Sequence, residues 1–154
     1  MKQYLIDTFC YNDYANKLTL AQIKELPQQD ECVRLFSHMI NSMHKWLARV
    51  RQSPGYVELD WWDPVYPVDE LEAKWDQCLK CWLNLLDEPE HDLDYDVEFI
   101  GVGGDDYTAE VKDIVLQLNY HAIHHRAQIQ YLIRQQGVEP QFVDYIGTKY
   151  RKIC

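Results

Sequence analysis

Three of the chain's six histidines fall within the stretch Leu118-Asn119-Tyr120-His121-Ala122-Ile123-His124-His125-Arg126-Ala127-Gln128-Ile129. Apolar residues recur around them at helical spacing: Val111, Ile114, Val115 and Leu118 before, Ile129, Leu132 and Ile133 after. Val111, Leu118, His125 and Leu132 form one seven-residue row and Ile114, His121 and Gln128 the other, so His121 and His125 take both inward positions of one layer. They share a helix face about one turn (about 6 Å) apart and can converge on one point. Burying two imidazoles without partners would cost on the order of 1 to 3 kcal/mol per unsatisfied group, and a metal ion is the simplest partner for both. The same spacing also suits two core-edge histidines bonded to carbonyls, water or a neighbouring helix, and a metal site needs at least a third ligand from elsewhere. His124 points about 100° away from His125 and is read as a flanking residue.

Such a pair needs rigid elements to hold it, and the chain reads as four helices. The first is expected from about Lys2 to Leu26, with Leu5, Ile6, Phe9, Leu18, Ala21 and Ile23 on its apolar side and Pro27 ending it. The second runs from about Asp30 to Arg51, with Val33, Phe36, Met39, Ile40, Met43, Leu47 and Val50 facing inward and Ser53-Pro54-Gly55 stopping it. From Tyr56 to Pro67 the chain is too broken by proline for a helix and too aromatic for a solvated linker, which predicts a long crossover packed over one end of the bundle. Asp69 is expected to cap a third helix striped by Leu71, Trp75, Cys78, Trp82 and Leu85 and ending near Asp87-Glu88-Pro89.

The stretch from Leu93 to Phe99 then alternates apolar and acidic residues, and Gly101-Val102-Gly103-Gly104 follows as a turn, predicting a small hairpin or extended loop. These glycines lack the Lys-Ser/Thr of a phosphate loop. The fourth helix is expected from Thr108 or Ala109 to about Gln136, with Gly137 as C-cap. Pro140, Phe142, Tyr145, Ile146 and Tyr150 make the tail apolar enough to pack back onto the bundle. The expected fold is all-α: a four-helix bundle with one long connection between the second and third helices.

At 154 residues the chain is expected to form one domain over its whole length, 1–154. Its 47% hydrophobic and 13% aromatic content predicts a folded protein, and 25 Asp plus Glu against 15 Lys plus Arg give a net charge of -10. Such a surface repels nucleic acid and anionic membrane, and no basic run offsets it. No signal-peptide pattern follows Met1-Lys2, and no stretch approaches the roughly 20 apolar residues of a membrane span, so a cytoplasmic location is expected. The five cysteines, Cys10, Cys32, Cys78, Cys81 and Cys154, are odd in number and irregularly spaced, which suits reduced thiols. Cys78 and Cys81 match C-x-x-C inside a helical pattern and are read as a core residue and its edge.

A bundle builds metal sites from side chains on facing helices, which makes the second helix the source of a third ligand, from His38 or His44. Both fall off the edges of an apolar arc centred near Met43 and Val50, and spacing does not choose between them. His91, within Glu-Pro-Glu-His-Asp, is read as a solvated surface residue.

The chain resembles the DinB (DinB/YfiT-like) family over essentially its whole length. The matching pieces are Phe9-x-Tyr11-Asn12-x-x-Ala15-Asn16 in the first helix, Leu35-Phe36-Ser37-His38-Met39 and Trp46-Leu47-Ala48-Arg49 in the second, and His121-x-x-x-His125-Arg126-Ala127-Gln128-Ile129 with Leu132-Ile133-Arg134-x-x-Gly137 in the fourth. The ending Phe142-Val143-Asp144-Tyr145-Ile146 is also similar. The resemblance implies an up-down-down-up four-helix bundle holding a divalent metal on one histidine of the second helix and two of the fourth. At the matching positions these are His38, His121 and His125. Ala127 stands where the family more often has glycine, which leaves the ligand positions untouched.

Three neutral imidazoles leave an ion its full charge and at least one open coordination position, and zinc or nickel suits such a site best. The ion would make a nucleophile of a water or thiol near neutral pH. A zincin would need glutamate where Ala122 stands, and a ferritin-like di-iron site a Glu-x-x-His pair where Leu118 stands. The resemblance implies a metal-dependent, thiol-using S-transferase or hydrolase acting on a small electrophile, with a low-molecular-weight thiol as partner. The alternatives are a stress-related metal-binding or interaction protein without turnover, and a degenerate, empty site. The family's frequent homodimerisation makes Trp61 and Trp62 a candidate dimer surface, or otherwise a lid over the core. Tyr120 and His124 are candidates for the pocket by proximity, Gln128 for orienting a ligand, and Arg126 for a structural ion pair.

Overall fold

A computed structural model describes residues 1–88 and 93–151, so His91, Cys154 and Pro89 lie outside the described residues, while the third helix ends at Asp87 as expected. Four helices carry the structure: α1 (Lys2–Lys24), α2 (Asp30–Val50), α3 (Leu71–Asp87) and α4 (Val111–Gln135). Between α3 and α4 lies an antiparallel ribbon of β1 (Asp96–Ile100) and β2 (Asp106–Glu110), so the all-α expectation holds only approximately.

Cross-helix contacts fix the directions. Phe36 meets Trp75, the Cys78 thiol meets the Ile40 carbonyl, and the Trp82 indole donates to the Met43 carbonyl at 3.1 Å, so α2 and α3 run the same way. Asn12 meets Asn119 and Gln22 reaches the Glu139 carbonyl, so α1 and α4 run together. Lys24 at the end of α1 pairs with Glu72 at the start of α3, which makes those two antiparallel. The core between them is built from Phe9, Phe36, Met39, Ile40, Trp75, Trp82, Val115 and Ile129, all nearly inaccessible to solvent. The stripe read on the third helix is buried throughout, and Cys78 is core with Cys81 at its edge.

Several boundaries move for identifiable reasons. α1 stops at Lys24 because Glu25 and Leu26 turn their N–H groups to the Gln22 and Ile23 carbonyls, tightening the last turn. Its inward face also differs: Ala21 is exposed, while polar Asn12, Asn16 and Thr19 are buried. Asp69 does not cap the third helix, since it sits inside a short 3-10 turn, Val68–Glu70, whose Glu70 N–H takes the Pro67 carbonyl. The fourth helix starts later than expected because Thr108 and Ala109 pair with Glu98 and Val97 as strand. The ribbon then serves the helix: the orphan N–H groups of Val111 and Lys112 donate to the Tyr95 and Leu93 carbonyls at 3.1 and 2.9 Å. Gly137, at φ +79°, ends α4 as expected.

The tail packs back through Val143 and Tyr145, not through Phe142, Ile146 and Tyr150, which stay exposed. Tyr11 donates to the Val143 carbonyl at 2.7 Å and meets the Tyr145 ring edge-on. Among the described residues, no helix is long and apolar enough to cross a membrane.

Candidate metal centre

α2 has two buried faces. One is the apolar face against α3; the other is the polar row Ser37, Asn41, Lys45 and Arg49, spaced one turn apart and covered by the crossover. Ser37 Oγ accepts the Tyr66 N–H at 3.0 Å, Asn41 Nδ2 donates to the Pro64 carbonyl at 3.1 Å, and Lys45 donates to the Val57 and Leu59 carbonyls. The Arg49 guanidinium lies over Trp46, Trp61 and Phe99 and donates to the Ile100 carbonyl. Buried polar groups satisfied in this way tie the crossover along α2 rather than merely over one end.

That fastening positions His38, which adjoins the row. Its Nδ1–H donates to the Trp61 carbonyl at 2.7 Å, turning Nε2 toward α4. Trp62 stacks on the same ring, centroids 3.7 Å apart and 11° from parallel, and Arg34 lies over the far face of Trp62 at 4.4 Å. On α4, His125 Nδ1–H donates to Gln128 Oε1 at 2.7 Å, which likewise leaves Nε2 bare. His121 Nε2 stands 3.0 Å from His38 Nε2 and 3.1 Å from His125 Nε2. The three residues offer ligand atoms all within 4.8 Å of one another, a group that could hold a metal ion.

The proton count within this cluster does not close. His38 and His125 each spend their ring hydrogen at Nδ1, so both Nε2 atoms are acceptors. His121 Nε2 carries at most one hydrogen and faces both. At least one Nε2 lone pair is therefore left without a donor, and a cation at the centre would satisfy all three.

Electrostatics keep the cluster neutral. Burial drives His121 down to about 3, reinforced by His125 and His38. Burial also lowers His38, with the Arg34 charge adding to it, and lowers His125 against the opposing bond from Gln128. Neutral imidazoles are the form that binds metal.

The structure separates the two histidines of the second helix. His38 joins the fourth-helix pair; His44 lies away from it, half-buried, with its basicity lowered by burial and then by Lys74 on α3. Gln128, a candidate for orienting a ligand, bonds His125. His124 is exposed and meets the His125 ring edge-on at 4.9 Å. Tyr120 is exposed and faces a cleft with Tyr4, Tyr11 and Tyr145 on the α1 side, apart from the histidines.

Arg126 does not form the expected ion pair. It is buried and donates to Asn12 Oδ1 at 3.0 Å, Asn16 Oδ1 at 2.7 Å and Tyr11 Oη at 3.1 Å, all neutral. These bonds clamp α4 to α1 one residue beyond His125. Residue periodicity missed the Trp61 carbonyl, the Trp62 stack and Arg34; the one available signal was the i, i+4 row of polar residues on α2.

An open cleft reaches His125 from outside, walled by Arg34, Leu35, Trp62 and Tyr131. The family model described as DinB family matches residues 1–152 of the chain. No curated protein and no solved structure matches it.

Proposed function

Because the chain belongs to the DinB family, we propose that it is a divalent-metal-dependent enzyme whose ion is held by His38, His121 and His125. The observation that carries this reading is the meeting of three Nε2 atoms, two of them stripped of hydrogen by the Trp61 carbonyl and Gln128. Ligand nitrogens about 2.0 to 2.1 Å from a metal sit roughly 2.9 Å apart at right angles and about 3.3 Å apart in a tetrahedron. Two of the three pairs, at 3.0 and 3.1 Å, fall between those limits, and all three ligand atoms lie within 4.8 Å of one another. An all-imidazole set suits zinc or nickel.

When bound, the ion supplies Lewis acidity that makes a thiol or water nucleophilic near neutral pH. The chain's own residues do the rest. The Trp61 carbonyl and Gln128 fix the tautomers of His38 and His125, and Trp62 excludes water from one face of His38. The cleft is lined by His125 and its partner Gln128, which brings a small molecule to that edge of the cluster. The reaction this arrangement fits is transfer of a small thiol to an electrophile, or hydrolysis of one. Zinc- or nickel-loaded protein assayed with a panel of thiols and electrophiles tests it; equal turnover by wild type and His121→Ala contradicts it.

A second reading, metal binding without turnover, is favoured by the Trp62 stack, which closes the site on one side. Under that reading the loaded protein turns over nothing in the panel, while the histidine variants still lose the ion.

A further inference from the structure

The cleft that reaches His125 has walls of two kinds. Leu35, Trp62, Tyr131 and Leu132 are apolar or aromatic, and only Arg34 and Glu31 bring full charges. Arg34 is held on two sides. Its Nε and Nη2 donate to the Glu31 carboxylate at 2.8 and 2.7 Å, and its guanidinium carbon lies over Trp62, 4.4 Å from the ring centre. An i, i+3 ion pair on a helix surface has no need of that contact, and surface pairs contribute little to stability. What this contact achieves is positional: a cation held over the Trp62 ring that stacks on His38, in the wall of the cleft. Nη1 has no hydrogen-bond partner among the described residues, so two donors of a rigid fork remain for a ligand.

We infer that Arg34 is the specificity-determining residue of this cleft, selecting small molecules that carry a carboxylate on a flat apolar body. The apolar body lies along the Trp62 edge, Leu35 and Tyr131, the carboxylate meets Arg34 Nη1, and the other end of the molecule points to the histidine cluster. Glu31 keeps the guanidinium from swinging away. The inference rests on the metal reading above, and the test separates the two.

The probes are benzohydroxamate and 4-carboxybenzohydroxamate, which share a metal-binding end and differ only in the carboxylate. Binding to zinc-loaded protein is followed by calorimetry and by tryptophan fluorescence, with zinc content measured for every sample. The carboxylated probe is expected to bind wild type about tenfold tighter, as a charge-assisted hydrogen bond allows. Arg34→Gln should abolish that preference, and Arg134→Gln, at an exposed arginine on the end of α4, should retain it. Full zinc uptake with no preference in wild type, or a preference that survives Arg34→Gln, overturns the inference and leaves the metal reading standing. Absence of zinc uptake overturns both.

Discussion

His38 and Trp62 lie ring on ring, centroids 3.7 Å apart, although they belong to different elements and are joined through a crossover that is otherwise tied to α2. The neighbouring Trp61 carbonyl takes the His38 Nδ1 hydrogen, so two consecutive residues set both the tilt and the tautomer of this imidazole. Residues that orient a metal-ligating histidine are typically worth 10- to 100-fold in affinity. Trp62→Ala is therefore expected to weaken zinc binding about tenfold, with Trp62→Phe nearer to wild type. Competition against a chromogenic chelator measures this; unchanged affinity in Trp62→Ala contradicts it.

The depressed basicity of the cluster makes the metal-free protein acid-sensitive. A histidine whose folded pKa lies below its unfolded value gains a proton first in the unfolded chain, so stability falls as pH falls. For His121 the window runs from the ordinary imidazole value of 6.5 down to about 3. Each imidazole contributes a slope of up to about 1.4 kcal/mol per pH unit within its window. Urea unfolding of the metal-free protein between these limits should show declining stability, with a shallower decline in His121→Ala. Parallel pH profiles for the two proteins would exclude this origin.

Arg126 holds α4 against α1 through Asn12, Asn16 and Tyr11. Arg126→Met would leave two buried amide oxygens without their donor and is expected to cost about 2 to 4 kcal/mol. Arg126→Lys should recover part of this, because it keeps a charge but not the fork. Denaturant unfolding decides; a change below about 0.5 kcal/mol in Arg126→Met would assign the clamp no weight.

The thiols differ in reactivity by burial. Cys32 is pushed up to about 11 and Cys78 further still, both by desolvation, whereas Cys10 is exposed. Brief alkylation of the folded protein at pH 8, read by peptide mass mapping, should modify Cys10 and spare Cys32 and Cys78. Labelling of Cys78 at the rate of Cys10 would contradict the core seen here.

The fourth-helix pair is legible in the sequence because His121 and His125 replace apolar residues in inward rows, where a departure from the pattern stands out. His38 is reached through the family resemblance and not through spacing, since α2 buries a second face that is polar and therefore looks solvent-exposed on a helical wheel. What covers that face is the crossover, whose path follows no period and whose anchors are mostly backbone carbonyls. The start of α4 was hidden for a related reason: Thr108 and Ala109 tolerate helix locally, and only pairing with Glu98 and Val97 makes them strand. Arg126 reads as an ion-pair residue until the buried asparagines of α1 are seen to face it.

The most direct test of the account is the metal content of protein purified without an affinity tag, alongside His38→Ala, His121→Ala, His125→Ala and His44→Ala, with folding checked by circular dichroism. The account predicts about one divalent ion per chain in wild type and in His44→Ala, and its loss in each of the other three. Metal absent from folded wild type after zinc or nickel loading, or retained when His38, His121 and His125 are replaced together, would contradict it.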